Sequence, residues 1–208
     1  RPGDCHYIVK NSSAVFAFIV GDEPAAGFKI ISAHSDSPGF RIKPNAEIVN
    51  EGGVVTLNTE VYGGPILYTW FDRPLSISGR VILRGESRLV NFYRPLLTIP
   101  HLAIHYNRAV NDGNPLSKQR DMLPVLGRVS DKEEGKGLLT RMVAQELGVT
   151  TDEILDYDLT LYDTTPATLF GLNEEFISSG RIDDLEMAHA AVTAITGSAA
   201  NTPQETMT

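Results

Sequence analysis

The 208 residues are 42% hydrophobic and 21% charged, with a formal net charge of −8 at pH 7. That balance belongs to a globular chain of one large domain or two small ones, and its acidity excludes a non-specific nucleic-acid binder, because phosphates would be repelled. The single cysteine, Cys5, excludes an internal disulfide, and a reducing, cytoplasmic setting is expected. No apolar run is long enough to cross a bilayer and no signal-peptide pattern opens the chain, so no membrane partner is expected.

Arg1 opens the chain, and residues 201–208 are polar, which reads as a fragment cut at both ends. Residues 15–20 (VFAFIV) and 28–33 (FKIISA) are continuous apolar runs, separated by Gly21, Pro24 and Gly27. Both are expected to be buried strands of a mixed or parallel sheet. The second runs straight into Ala33-His34-Ser35-Asp36-Ser37-Pro38-Gly39. An imidazole and a carboxylate thus stand at the end of a buried strand, where α/β enzymes collect their sites. A metal centre needs both groups. A histidine bonded inside a turn, with Asp36 as an Asx-turn residue, satisfies the same residues.

Residues 40–43 alternate as a strand with one wet face. From residue 54 to 83 the chain reads as strands punctuated by Gly and Pro. VVTLNTEVY (54–62) and LSISGRVIL (75–83) have strong β propensity, and Gly79 is expected to be a bulge. The spacing suggests a small barrel or sandwich. The aromatic stretch at Tyr68, Trp70 and Phe71, beside Asp72 and Arg73, reads as a core or interface cluster.

His101 and His105 stand four apart, a spacing that could share a metal on one helix face, but apolar neighbours favour a structural or interface role. Residues 111–117 and 130–137 read as surface loops. Leu138, Leu139, Met142, Val143 and Leu147 have helical spacing, with Gly148 as the stop. Thr150 and Glu153 form a capping-box pattern opening a short helix through Leu155, and residues 157–162 (YDLTLY) alternate as a strand. Glu174-Glu175 could supply a base and a ligand, but its turn context favours a solvated or substrate-gating role.

Asp183 and Asp184 precede Leu185, Ala188, Val192 and Ile195, a helical stripe that Gly197 is expected to end. Paired acids at a helix start can simply favour its dipole and cap free N–H groups. They can also supply a carboxylate bridging two metal ions. His189 lies among alanines in the helix body and reads as a surface or packing residue.

These segments, in this order, resemble the M18 zinc aminopeptidases, the aspartyl aminopeptidase family. AHSDSP (33–38) is similar to the family's metal-ligand segment. EVYGG (60–64), TWFDR (69–73), SGRV (78–81) and IPHLAIH (99–105) resemble its inserted domain, and DTTP (163–166), GLNEEFI (171–177) and RID (181–183) complete the series. The resemblance implies an α/β fold: a zinc-exopeptidase-like mixed-sheet core, residues 1–43 and 166–208, with an inserted β-rich dimerisation domain at 44–165.

It implies a metallo-aminopeptidase with two Zn²⁺, releasing N-terminal, preferentially acidic residues from peptide substrates by zinc-activated water. His34 would ligate one zinc and Asp183 would bridge both. Asp36 would act from behind the ligands, orienting the site. His105 would reach a neighbouring subunit's substrate site in a homo-oligomer built from dimers, up to a dodecamer. The Asp183–Asp184 peptide is expected to be cis, as in related dinuclear peptidases.

Two departures stand out: Gly180 where the family usually has Pro, and Asp184 where it has Asn. The family's Glu-Glu pair, expected on a strand beginning near Thr208, and its later aspartate and histidine ligands lie outside the chain. With two direct ligands the isolated chain is expected to bind zinc weakly and not to catalyse. It is also expected to expose faces that the missing part would cover. A zinc amidohydrolase or deacylase on the same core, and a non-catalytic assembly module, are the alternative readings.

Overall fold

The computed structural model describes residues 1–200; the polar stretch 201–208 and the expected start of the glutamate strand lie outside the described residues. In chain order the strands and helices are β1 (Cys5–Lys10), β2 (Ala14–Ile19), β3 (Gly39–Val49), β4 (Val54–Tyr62), β5 (Leu75–Leu83), β6 (Ser87–Asn91), β7 (Val125–Arg128), α1 (Lys132–Gly135), α2 (Leu138–Leu147), β8 (Ile154–Asp163), β9 (Thr168–Phe170), β10 (Phe176–Ser178) and α3 (Ile182–Ala200). They fall into two compact units. One is Arg1–Ser37 with the chain from Arg181 onward, and the other is Pro38–Gly180. The borders lie at 37/38 and 180/181 rather than 43/44 and 165/166, because β3 crosses position 43 unbroken and the β9–β10 hairpin stays with the second unit.

In the first unit β1 and β2 form an antiparallel hairpin, with Asn11 and Ser12 in left-handed conformation at its turn. The burial expected of residues 15–20, which β2 contains in large part, does not occur: Val15 and Phe16 are each 61% exposed. The second expected strand is absent. Residues 28–38 have no ladder partner among the described residues, and Phe28, Ile30 and Ile31 are exposed. An apolar β-branched run shows what a segment would bury, not whether a neighbouring strand is there to pair with it. All ladders between the named strands are antiparallel.

Helix α3 packs on β2 with Ala188, Ala191 and Ile195 half-buried, while Leu185 and Val192 of the expected stripe are exposed. It runs through Gly197 to Ala200. A mid-helix glycine costs only about 1 kcal/mol, and no proline follows closely enough to stop the turn.

The second unit holds the core. Its six-stranded sheet has the order β6-β5-β8-β3-β4-β7. Period-two alternation buries Val55, Leu57 and Thr59 of β4, Leu159 and Leu161 of β8, and Phe40 and Ile42 of β3. Residues 97–99 bridge β5 (Leu75 with Leu97) and β7 (Thr98 with Val125), so the sheet closes into the small barrel that the strand spacing suggests. Leu139 and Val143 of α2 are fully buried in the same cluster. Each such buried aliphatic side chain contributes about 1.5–3 kcal/mol relative to exposure.

Gly79 is not a bulge, since the register of β5 with both neighbours continues through it. A Cβ there would lie 2.1 Å from the Asp158 carbonyl oxygen, so the glycine permits close approach of β8. The expected loop at 130–137 contains α1, whose start is capped by the Asp131 carboxylate accepting from the Glu133 and Glu134 amides. The Thr150–Glu153 capping box is present, but it closes one 3-10 turn that leads directly into β8.

Candidate metal centre

His34 and Asp183 lie far apart in the chain and meet within the first unit. The His34 imidazole is fixed by its own turn: Nδ1 lies 2.9 Å from the Asp36 carbonyl oxygen and 3.4 Å from Asp36 Oδ1. A proton on Nδ1 donated to that carbonyl leaves Nε2 with its lone pair outward, the tautomer a metal ligand requires. Nε2 lies 3.4 Å from Asp183 Oδ1 and 3.9 Å from Asp184 Oδ2. Donors about 2.0–2.1 Å from a tetrahedral zinc stand about 3.4 Å from each other, so the imidazole–Asp183 spacing fits two corners of such a site.

The hydrogen bond to the Asp36 carbonyl holds the imidazolium form of His34 up in pKa, desolvation opposes it, and the carboxylates of Asp184, Asp36 and Asp183 add to the rise.

The helix start turns the two aspartates in different directions. Arg181 is left-handed, the Asp183–Asp184 peptide is cis as expected, and neither aspartate has helical angles, so α3 becomes regular only from Leu185. The Asp183 side chain is 91% exposed, whereas that of Asp184 is 19% exposed and accepts the His34 backbone N–H at 3.1 Å. Ser37 Oγ donates to the Asp183 carbonyl at 3.4 Å. Asp184, which the sequence shows only as the second acid at the helix start, thus holds the His34 backbone. An asparagine at this position would carry the same acceptor oxygen.

Among the described residues no group of three or more His, Cys, Asp and Glu side chains is arranged to hold a metal ion. The Glu174-Glu175 pair sits in an exposed turn where Glu174 is left-handed and the Glu175 carboxylate accepts the Asn173 N–H at 2.8 Å. His189 is exposed on α3.

In the second unit His101 and His105 do not share a helix. His101 packs on Phe71, with ring centroids 4.4 Å apart, while His105 lies in an exposed turn. The ion pair of the aromatic cluster joins Arg73 to Asp163, not to its neighbour Asp72.

The antiparallel sheet with helices is a fold shared with the crystal structure of yeast aminopeptidase 1, which matches at 26% identity and a TM-score of 0.78, covering 97% of this chain and 48% of that one. The chain belongs to the M18 family: the model for the aminopeptidase I zinc metalloprotease (M18) matches residues 1–208. It is 50% identical over 204 residues to the probable M18 family aminopeptidase 2 of Clostridium novyi, covering 94% of this chain and 47% of that protein. A chain in the cryo-EM structure of the Ape4 and Nbr1 complex is 33% identical with a TM-score of 0.87, covering 97% of this chain and 43% of that one. The structure of the S. cerevisiae mApe1 dodecamer matches at 26% identity and a TM-score of 0.75, covering 99% of this chain and 48% of that one. The chain spans about half the length of the relatives it matches.

Proposed function

We propose that this chain is the ligand-initiating half of a dinuclear zinc aminopeptidase that releases N-terminal, preferentially acidic residues from peptides in the cytoplasm. The observation that carries the reading is the 3.4 Å spacing between His34 Nε2 and Asp183 Oδ1. In this reading His34 and Asp183 hold zinc, Asp36 fixes the imidazole tautomer, and Asp184 anchors the His34 backbone. When bound, zinc supplies Lewis-acid polarisation of the scissile carbonyl and activation of water. The remaining ligands and the proton-accepting glutamate come from a segment following this chain, in keeping with its share of the relatives' length. The Pro38–Gly180 unit is the dimer-forming insert of a homo-oligomer. Its His105 is delivered to a neighbouring subunit's substrate site.

The test is made on the enzyme extended by that segment. Free peptides with N-terminal Asp or Glu are expected to be cleaved and N-acylated amino acids to be left intact; the reverse preference would make it a deacylase. His34→Ala and Asp183→Asn are each expected to weaken zinc binding by about 10–100-fold or more and to abolish turnover. Calorimetric zinc titration unaffected by either change would refute the reading.

A further inference from the structure

The loop that carries His105 leaves the barrel after Ile99 and returns before Val125, and one short turn holds both of its limbs. On the outgoing limb the Asp72 N–H donates to the Ile99 carbonyl at 2.9 Å, and the Asp72 carboxylate accepts the His101 N–H at 3.0 Å. The Phe71 ring covers the His101 imidazole, and Tyr68 meets the same ring edge-on. On the other limb the Tyr68 hydroxyl donates to the Asn114 carbonyl at 2.5 Å. Between these two grips the loop's bonds among the described residues are short and local, Tyr106 N–H to the Ala103 carbonyl and Asn107 N–H to the Ile104 carbonyl among them. Leu102, Ile104 and Tyr106 are exposed around His105.

The turn itself is anchored. Arg73 donates to the Thr69 carbonyl and pairs with Asp163 at the end of β8, and the Thr164 N–H and hydroxyl both donate to the Pro74 carbonyl. Asp72 has φ +56°, a left-handed conformation that Asp, Asn and Gly adopt readily.

We propose that residues 67–73 form a positioning clamp for His105, with Asp72 and Tyr68 as its gripping residues. The proposal rests on the reading that His105 serves a neighbouring subunit's site. A side chain presented across a subunit boundary is useful only if its loop is held. A displacement of about 1 Å in such a group can cost about 100-fold in rate.

The experiment uses the extended, assembled enzyme. Asp72→Asn keeps both the acceptor oxygen and the left-handed backbone, and is expected to stay within about 2-fold of wild type. Asp72→Gly keeps only the backbone, and Tyr68→Phe removes only the hydroxyl. Each is expected to lower kcat/KM about 10-fold or more, with the oligomer unchanged by mass photometry. In a His105→Ala background neither should cause a further loss, because the clamp acts through that side chain.

A wild-type rate for Asp72→Gly overturns the proposal. So does a loss that persists in full without His105, or one that tracks dissociation of the oligomer. A silent His105→Ala defeats the underlying reading and the clamp's catalytic purpose with it. Hydrogen exchange tells the two failures apart: amides of residues 101–114 should exchange faster in Asp72→Gly if the grip is real, whatever His105 does.

Discussion

The Asp184 carboxylate is turned in to the His34 amide while its neighbour Asp183 stands in solvent, and the hydrogen bond fixes where the imidazole begins. An acceptor, not a charge, is what that bond needs. Asp184→Asn is therefore expected to keep zinc affinity in the extended enzyme within about 3-fold, and Asp184→Ala to lower it about 10–100-fold. Competition with a chromophoric chelator measures both, and equal affinities for the two variants would refute the anchoring role. His34, Asp36 and Asp183 stand out in the sequence as candidates for one site because their segments are distinctive. Which of two adjacent carboxylates faces inward is not legible there, since it depends on backbone angles at Arg181, Asp183 and Asp184 that residue identity does not specify.

Strands β4 and β5 occupy the expected residues; β4 has one face on the barrel core, and period-two alternation reports that directly, whereas Leu75, Ser76 and Ile77 of β5 are all buried. The segment at 28–33 has the same composition but no partner strand among the described residues, and composition carries no information about partners. Gly79 shows the same gap in legibility. A strand glycine is compatible with a bulge or with close backbone approach, and only the 2.1 Å separation decides. Gly79→Ala is accordingly expected to destabilise the protein by about 2–4 kcal/mol, read from denaturant unfolding, because the obstructing atom is backbone and cannot swing away. An unchanged midpoint would show that β8 can retreat at little cost.

At the end of β8, burial pushes the Asp163 carboxyl up, but bonds from Thr165 and Arg73 outweigh it and hold it below its ordinary 3.8. A depressed folded-state pKa contributes stability that is present above the unfolded value and lost as pH falls through the folded one. The melting-temperature advantage of wild type over Asp163→Asn should therefore be full near neutrality and shrink below about pH 4. An advantage independent of pH would assign it to packing instead.

The proposed functional groups are divided between the two units. The first contains His34 and Asp183, and the second contains His105 and the loop clamp. If His105 is delivered between subunits, two individually defective proteins should repair each other. In a mixed dimer of His34→Ala and His105→Ala subunits, the site with an intact His34 receives an intact His105 from its neighbour, while the other site lacks its ligand. Random exchange makes about half of the dimers mixed, each with one competent site in two, so an equimolar mixture should regain about a quarter of wild-type activity. If His105 served its own subunit, neither protein could supply a complete site, and mixing would restore nothing. Recovery should require subunit exchange, so rates taken before and after reversible dissociation, on the extended enzyme, distinguish the two arrangements.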